Sequence, residues 1–237
     1  MMKTEASKVM GPSPRLIVAM AQYRQGQKKQ ARKTLAQAVS AFDWRAPKAD
    51  RRDVWIFHIL RREAEALILP NLPAFLEGKY QSQDNDERLA LMGTCQSQGL
   101  DKVAAQMYSD AFAADSTLAD NLAAEYRYRA ARCAVLAGCG LSKDGATLGE
   151  AERTHWRKQA RQWLQADLAA RTKTLAGASD ATRGQVRKKL RGWQTAPDLV
   201  GLRDPSALEQ LSADERRECL ALWSEVAAVL RQADTAP

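Results

Sequence analysis

The sequence contains no apolar run long enough to cross a bilayer. Its longest apolar runs, at 16–21 and 54–60, fall far short of the roughly 18 to 20 residues that a membrane-spanning helix needs. The first residues carry an early lysine, but the short apolar run that follows makes a poor secretory signal. We therefore expect no membrane segment and a cytoplasmic location.

β-Branched residues are also scarce, and they do not alternate with polar residues as they would in half-buried strands. Alanine, leucine, arginine, lysine, glutamate and glutamine dominate, and all of them favour helices. With 237 residues, 45% of them hydrophobic and 27% charged, the chain can bury a core as one large domain or two small ones. The composition predicts an all-α protein.

Histidine and cysteine, the usual metal ligands, are few. The chain has two histidines and four cysteines: His58, His155, Cys95, Cys133, Cys139 and Cys219. Cys133 and Cys139 would point to different faces of a continuous helix, so packing is favoured over a metal-binding or redox pair. Reduced thiols are expected, and both histidines are interpreted as isolated side chains with no catalytic partner.

A near match to a phosphate-binding loop lies at 140–147, but Ala146 stands where that motif requires its lysine. The loop would also follow a helix rather than a strand. We interpret it as an insertion between helices. The sequence thus predicts no catalytic residue, no cofactor and no metal site, and the protein is not expected to be an enzyme.

An internal repeat is visible when 19–43 is aligned with 92–116 on Gly26 and Gly99. In both segments an alanine follows the glycine, then a large apolar residue, then a second alanine: Ala31, Leu35 and Ala38 in one, Ala104, Tyr108 and Ala111 in the other. This spacing is typical of tetratricopeptide repeats, in which a glycine turns the chain and small residues let two antiparallel helices approach closely.

A third repeat is interrupted by an insertion. Its first helix is predicted at 126–140, within one long helix that Ser116 caps. Its second is predicted at 152–170, where the buried stripe should be Trp156, Ala160, Trp163, Leu164 and Leu168. A basic helix at 181–194 and a turn-rich linker follow. A capping box at Ser212 and Glu215 starts a last helix, whose predicted stripe is Leu220, Trp223, Val226, Ala227 and Leu230.

The predicted fold is an α-solenoid of tetratricopeptide-like antiparallel hairpins with a C-terminal capping helix. We expect a disordered lead-in at 1–14 and helical repeats at 15–175. The individual repeats lie at 15–45, 86–116 and 118–170, the last with an insertion at 139–150. The basic helix, the linker and the capping helix occupy 176–237. A further helix at 50–68, stopped by Pro70, is followed by a loop or a broken turn.

Five segments in order resemble the C-terminal tetratricopeptide region of large multidomain bacterial serine/threonine kinases. They are LRREAEALI (60–68), QMYSDAFAADSTLADN (106–121), YRYRAARCAVLAGCG (126–140), RKQARQWLQADLAA (157–170) and the tail at 193–226. The resemblance covers roughly 15–232 and implies a protein-interaction appendage of a bacterial signalling protein. The kinase motifs themselves are missing: no G-x-G-x-x-G before a lysine-bearing strand, no H-R-D and no D-F-G.

The net charge of +8 is concentrated in 151–191, which holds eleven Lys/Arg and three Asp/Glu. The candidate basic patch consists of Arg153, Arg157, Lys158, Arg161, Arg183, Arg187, Lys188, Lys189 and Arg191. Such a cluster is interpreted first as a solvated helix face, with an acidic protein partner or nucleic acid as the alternatives.

The expected function is that of a non-catalytic scaffold, whose concave surface holds a peptide or helix of a protein partner. Residues of the first helices that are not needed for packing are the candidate contacts: Gln22, Tyr23, Arg88, Cys95, Gln96, Arg127, Arg129 and Arg132. Two alternatives stay open, a nucleic-acid-binding regulator that uses 153–191 and a detached C-terminal part of a serine/threonine kinase. The sequence identifies neither the partner nor the oligomeric state.

Overall fold

The computed structural model describes residues 11–42, 44 and 54–234. In that part of the chain every regular element is helical, as the composition predicts, and none of these helices is long and apolar enough to cross a membrane. The chain divides into two compact units, Met1–Gly99 and Leu100–Pro237. Residues 1–10 of the predicted lead-in at 1–14 and the start of the predicted helix, 50–53, lie outside the described residues, and within the rest of the lead-in a helix begins at Ser13.

The first unit contains five described helices. They are α1 (Ser13–Arg24), α2 (Lys28–Ser40), α3 (Val54–Ile68), α4 (Leu72–Leu76) and α5 (Asn85–Gln98). Helices α1 and α2 form an antiparallel hairpin that turns at Gly26, whose φ of 80° lies in the left-handed region that glycine favours. Helix α3 packs on both helices of this hairpin, and α5 packs on α2.

The second unit contains seven α-helices and one 3₁₀ helix in the described residues. They are α6 (Asp101–Ala114), α7 (Thr117–Asp120), α8 (Tyr126–Gly138), α9 (Glu150–Lys173), α10 (Asp180–Thr195), the 3₁₀ helix (Pro197–Leu202), α11 (Pro205–Leu208) and α12 (Ala213–Asp234). Helix α8 packs against α6, α9 and the 3₁₀ helix, while α12 packs against α9 and α10.

The helices of the pairs α1–α2 and α8–α9 pack against each other, with residues from the repeat positions buried. Ala31, Leu35 and Ala38 of α2 are buried, and so are Ala160 and Leu164 of α9. Small residues at the contact allow the close approach: a side chain on Gly138, at the end of α8, would meet the backbone of Arg157. The two helices of the predicted repeat at 86–116 fall in different units, because the division follows Gly99.

Several local predictions are wrong. The helix expected from Ser116 onward is broken between α7 and α8, where Glu125 adopts a φ of 56°. Ser116 makes no capping bond with its side chain, and Asp115 instead accepts from the Thr117 backbone N–H at 3.0 Å. The predicted loop after Pro70 contains the short helix α4.

The C-terminal part also corrects two predictions. The expected linker contains the 3₁₀ helix and α11, because Leu199 and Leu202 are fully buried and hold the segment against the core. The capping box is confirmed, since the Glu215 backbone N–H donates to Ser212 Oγ at 3.3 Å. The predicted stripe of α12 is wrong at Leu220, which is 55% exposed, while its neighbour Cys219 is buried.

We expect Gly138→Ala to destabilise the second unit by about 1–3 kcal/mol, because the added methyl group would force α8 and α9 apart. The methyl carbon would lie 2.8 Å from the Arg157 backbone nitrogen and 2.9 Å from the Arg153 carbonyl oxygen. Urea unfolding followed by circular dichroism measures the change. The matched control is Gly192→Ala in α10, where the methyl group meets no atom within 4 Å and helix propensity should raise stability slightly. Equal effects of the two substitutions would contradict the expectation.

Candidate protein-interaction surface

Arg157 of the predicted basic patch is buried, and its guanidinium bonds to groups from two neighbouring helices. Its Nε donates to Glu215 Oε1 at 2.8 Å, and its Nη1 donates to the Gly138 carbonyl oxygen at 2.9 Å. Its Nη2 donates to Glu150 Oε1 at 2.6 Å, within α9. Arg157 therefore ties the start of α9 to the end of α8 and the start of α12.

Arg161, one turn along α9, is buried as well. Its Nη2 donates to Glu218 Oε2 at 2.7 Å, and its Nη1 lies 3.6 Å from Glu215 Oε1.

Burial alone would lower the pKa of Arg157 and raise that of Glu215. The ion pair reverses both shifts, so that Arg157 has a raised pKa and Glu215 a lowered one. The charges of Arg157 and Arg161 are thus compensated inside the protein and are not presented to a partner.

Three arginines of α10 lie one turn apart on one flank of the helix and reach the end of α12. Arg183 Nη1 donates to the Gln232 carbonyl oxygen at 3.4 Å, and Arg187 Nη1 donates to that of Ala233 at 3.5 Å. Arg187 and Arg191 each lie 3.5 Å from Asp234 Oδ1. Since the last carbonyls of a helix have no partner within the helix and carry negative partial charge, these arginines stabilise the C-terminus of α12.

The other members of the predicted patch are divided between internal contacts and solvent. Arg153 Nη2 donates to the Ala146 carbonyl oxygen at 2.9 Å, and Lys189 Nζ lies 2.8 Å from Glu125 Oε1. Lys158 and Lys188 are exposed, with no hydrogen bond or ion pair within 11–42, 44 and 54–234. Most of the basic side chains that the sequence identified therefore contact carboxylates or carbonyl oxygens of the second unit.

Within the described residues, the side chains of two of the three candidate arginines of α8 also have intramolecular partners. Arg127 Nη2 donates to Asp120 Oδ1 at 2.6 Å, and Arg132 Nε donates to Asp198 Oδ2 at 2.7 Å. The Arg132 guanidinium lies 5.8 Å from the Tyr128 ring, which stacks on Trp193 at 5.3 Å. Arg129 is half-buried. These contacts hold α8 against its neighbours.

The candidates in the first unit lie on two helices that both pack against α2. Gln22 and Tyr23 of α1, together with Arg88 and Gln96 of α5, are half-buried, whereas Cys95 is fully buried. Arg88 Nε donates to Ser82 Oγ at 3.3 Å, and its Nη1 donates to Asn85 Oδ1 at 3.1 Å. Cys95 is not accessible to a partner in this structure.

A buried ion pair in the first unit was missed by the sequence interpretation. Arg61 and Glu65 of α3 are both buried, with Arg61 Nε 3.6 Å from Glu65 Oε1 and the guanidinium 4.7 Å from the Trp44 ring. Burial lowers the pKa of Arg61 and raises that of Glu65. Their spacing of four residues on a helix predicts an ion pair, but the spacing does not indicate that the pair is buried.

Exposed apolar side chains are concentrated on α1 and α3. Among the described residues eight large apolar side chains are exposed, and five of these belong to the two helices: Ile17, Val18, Trp55, Ile56 and Ile59. Trp55 is the most exposed of them, at 63%. The other three, Leu76, Leu141 and Leu220, are scattered over separate elements. We call the five residues the α1–α3 face. The sequence interpretation placed both apolar runs in predicted helices and used them to exclude a membrane span, but it did not predict that they would be exposed.

The orientation of α3 follows from its opposite side. Phe57 is buried with its ring centroid 5.5 Å from that of Phe42, and the ring of His58 lies 5.3 Å from that of Trp44. Because these aromatic contacts hold the first turns of α3 inward, Trp55 and Ile59 project to solvent. A side chain on Gly11, just before α1, would lie 2.7 Å from the Phe57 ring. Helices α1 and α3 therefore begin side by side.

The cysteines behave as packing residues. All four are free thiols, and all except the half-buried Cys139 are buried. Burial raises the pKa of Cys139 to about 11, so this thiol stays protonated at neutral pH. Within the part of the chain that the structure describes, no group of three or more His, Cys, Asp or Glu side chains could hold a metal ion.

No family model, curated protein or solved structure matches this chain. The α1–α3 face is therefore identified by the exposure of its side chains.

We expect the second unit to lose stability in acid through Glu215. Because the folded pKa of Glu215 is lowered, its stabilisation is complete above the unfolded pKa and disappears as the pH falls through the folded value. Glu215→Gln should reduce stability at neutral pH by about 1.5–3 kcal/mol, the contribution of hydrogen bonds to a charged group, and should flatten the pH dependence. Urea unfolding at several acidic and neutral pH values tests this, with the exposed Glu209→Gln as control. An unchanged pH profile for Glu215→Gln would contradict the expectation.

The arginines of α10 should act on stability. We expect Arg187→Gln to lower the free energy of unfolding by about 1 kcal/mol, since it removes a cation from the end of α12. Lys188→Gln, the adjacent exposed residue, should change it by less than about 0.5 kcal/mol. Thermal unfolding of the two variants provides the comparison. Equal melting temperatures would show that the contacts at the end of α12 contribute nothing.

Proposed function

We propose that this protein is a non-catalytic helical scaffold of the tetratricopeptide type, which binds a peptide or helix of a protein partner through the α1–α3 face. The observation that supports the proposal is the concentration of five exposed large apolar side chains on two adjacent helices. Isolated exposed apolar residues need no explanation, whereas a group of them marks an interaction site.

The energetics of such a face suit a protein ligand. Covering apolar surface contributes roughly 25 cal/mol per Å², and tryptophan is among the residues that most often dominate binding energy. Two neighbouring helices leave a groove between them, into which the side chains of a third helix can pack. Gln22 and Tyr23, the candidate contacts from the repeat spacing, also lie on α1.

The tetratricopeptide arrangement is part of the proposal. It is supported by the hairpins α1–α2 and α8–α9, by the glycine turn at Gly26 and by the buried small residues at the repeat positions. The resemblance of five segments to the helical C-terminal region of bacterial serine/threonine kinases agrees with a role as an interaction appendage in cytoplasmic signalling. In this role the protein needs no catalytic residue and no cofactor.

The intramolecular contacts of the basic side chains at 153–191 disfavour the alternative that this segment binds nucleic acid. Seven of the nine patch residues bond to carboxylates or carbonyl oxygens of the same unit, which leaves Lys158 and Lys188 for phosphates. Nucleic-acid affinity depends on the number of phosphates that are neutralised. Two free lysines would support only weak binding.

The test is selection of binders from a displayed library of helical peptides with a randomised apolar stripe. We expect selected peptides to bind the double variant Trp55→Gln/Ile59→Gln at least tenfold more weakly than the wild type, since the loss of interface anchors typically costs about 2 kcal/mol or more. The substitutions lie on the surface, so stability should change by only about 0.5 kcal/mol. Titration with labelled peptides measures the affinities.

The matched control is Leu141→Gln/Leu220→Gln, which replaces two comparably exposed apolar residues of the second unit. It should bind within about twofold of the wild type. Selection of no peptide, or binding that the Trp55→Gln/Ile59→Gln variant retains, would refute the proposed function. Retention on a DNA column that Lys158→Gln/Lys188→Gln abolishes would favour the nucleic-acid alternative.

A further inference from the structure

From the charge around the α1–α3 face we infer that its partner is an acidic amphipathic helix, an inference that rests on the proposed function. The described segment 11–42, which forms the α1–α2 hairpin, carries six basic residues and no acidic one: Arg15, Arg24, Lys28, Lys29, Arg32 and Lys33. A charge of one sign over a whole hairpin is unusual, because surface helices commonly intersperse both signs.

Two of the six cations are compensated inside the first unit. Arg32 Nη1 lies 3.0 Å from Asp84 Oδ2, and its Nη2 lies 3.2 Å from Glu87 Oε1. Lys33 Nζ lies 3.7 Å from Asp86 Oδ1. All three carboxylates come from the start of α5, which packs against α2. Arg32 and Lys33 therefore fix α5 to the hairpin and are not available to a partner.

The other four cations are exposed and have no acidic partner in the described part of the chain: Arg15, Arg24, Lys28 and Lys29. Arg15 lies three residues before Val18 and Arg24 seven after Ile17, so each borders the apolar stripe of α1 on the helix surface. Lys28 and Lys29 begin α2, where no acidic residue occupies the first turn. Cations are unfavourable at the N-terminus of a helix, so an approaching anion would gain from this position.

Among the described residues of α3, the exposed Arg62 and Glu63 offset one another. Over the described parts of α1 and α3, the exposed charge that is not offset thus comes from Arg15 and Arg24 and is positive. A ligand that covers the five apolar side chains with its own apolar stripe would place its flanking residues next to Arg15 and Arg24, where carboxylates are attracted and ammonium groups repelled.

A helix fits the shape of this face. Helices α1 and α3 begin side by side and pack against each other, as the contact of Phe57 with the start of α1 shows. On α3 the exposed residues recur at helical spacing, with Trp55 and Ile59 four residues apart. A third helix whose apolar side chains have the same spacing can pack against them.

Three peptide pools that share one randomised apolar stripe test the sign of the charge. Their flanking positions are fixed as glutamate, glutamine or lysine. We expect binders from the glutamate pool to be at least tenfold tighter than the best from the glutamine pool, and the lysine pool to yield none. Higher salt should weaken the glutamate peptides. Arg15→Glu/Arg24→Glu should weaken them at least tenfold, whereas Lys158→Glu/Lys188→Glu, a matched charge change in the second unit, should stay within twofold.

The outcomes distinguish this inference from the function on which it rests. Peptides from the glutamine or lysine pool could bind as tightly as those from the glutamate pool and lose affinity for the Trp55→Gln/Ile59→Gln variant. In that case the proposed scaffold function is supported, and the inference of an acidic partner is wrong. If no pool binds, both proposals fail. Two other results would overturn the inference. Binding of anionic lipid vesicles without any peptide binding would assign the face to a membrane surface. Self-association that Trp55→Gln/Ile59→Gln abolishes would assign it to a second copy of the chain.

Discussion

The second unit depends on one buried guanidinium. Arg157 bonds to Glu215 at the start of α12, to the carbonyl of Gly138 at the end of α8 and to Glu150 in its own helix. A buried arginine without these partners would carry a desolvation penalty of several kcal/mol, so the three helices have to meet where they do. The glycine at 138 belongs to the same constraint, because any larger residue would occupy the space of the Arg157 backbone and side chain.

Basic residues fall into two groups in this protein, those with intramolecular partners and those exposed to solvent. In the second unit Arg157, Arg161 and the arginines of α10 satisfy carboxylates and helix ends, so a segment with a net charge of +8 offers little free charge to a ligand. In the first unit Arg15 and Arg24 are exposed on α1, the helix that also carries the exposed Ile17 and Val18. The less conspicuous cations are therefore the ones that remain accessible to solvent.

The sequence interpretation succeeded where local periodicity decides the structure. The helical class, the turn at Gly26, the capping box at Ser212 and the buried stripe of α9 all follow from residue types at helical spacing. It failed where a tertiary contact outweighs the local pattern. The expected linker after α10 is ordered because Leu199 and Leu202 are buried in the core, and α12 is rotated so that Cys219 faces inward in place of Leu220.

The sequence by itself determined that this chain forms amphipathic helices, that some of them pair as hairpins through small residues, and where its positive charge lies along the chain. Only the tertiary structure decided which charges and apolar residues remain for a partner. Exposure depends on the rotation of each helix against its neighbours. In α3 that rotation is set by contacts of Phe57 with Phe42 and of His58 with Trp44. An apolar run such as 54–60 therefore contains both buried and exposed side chains, and its composition alone does not show which residues are buried.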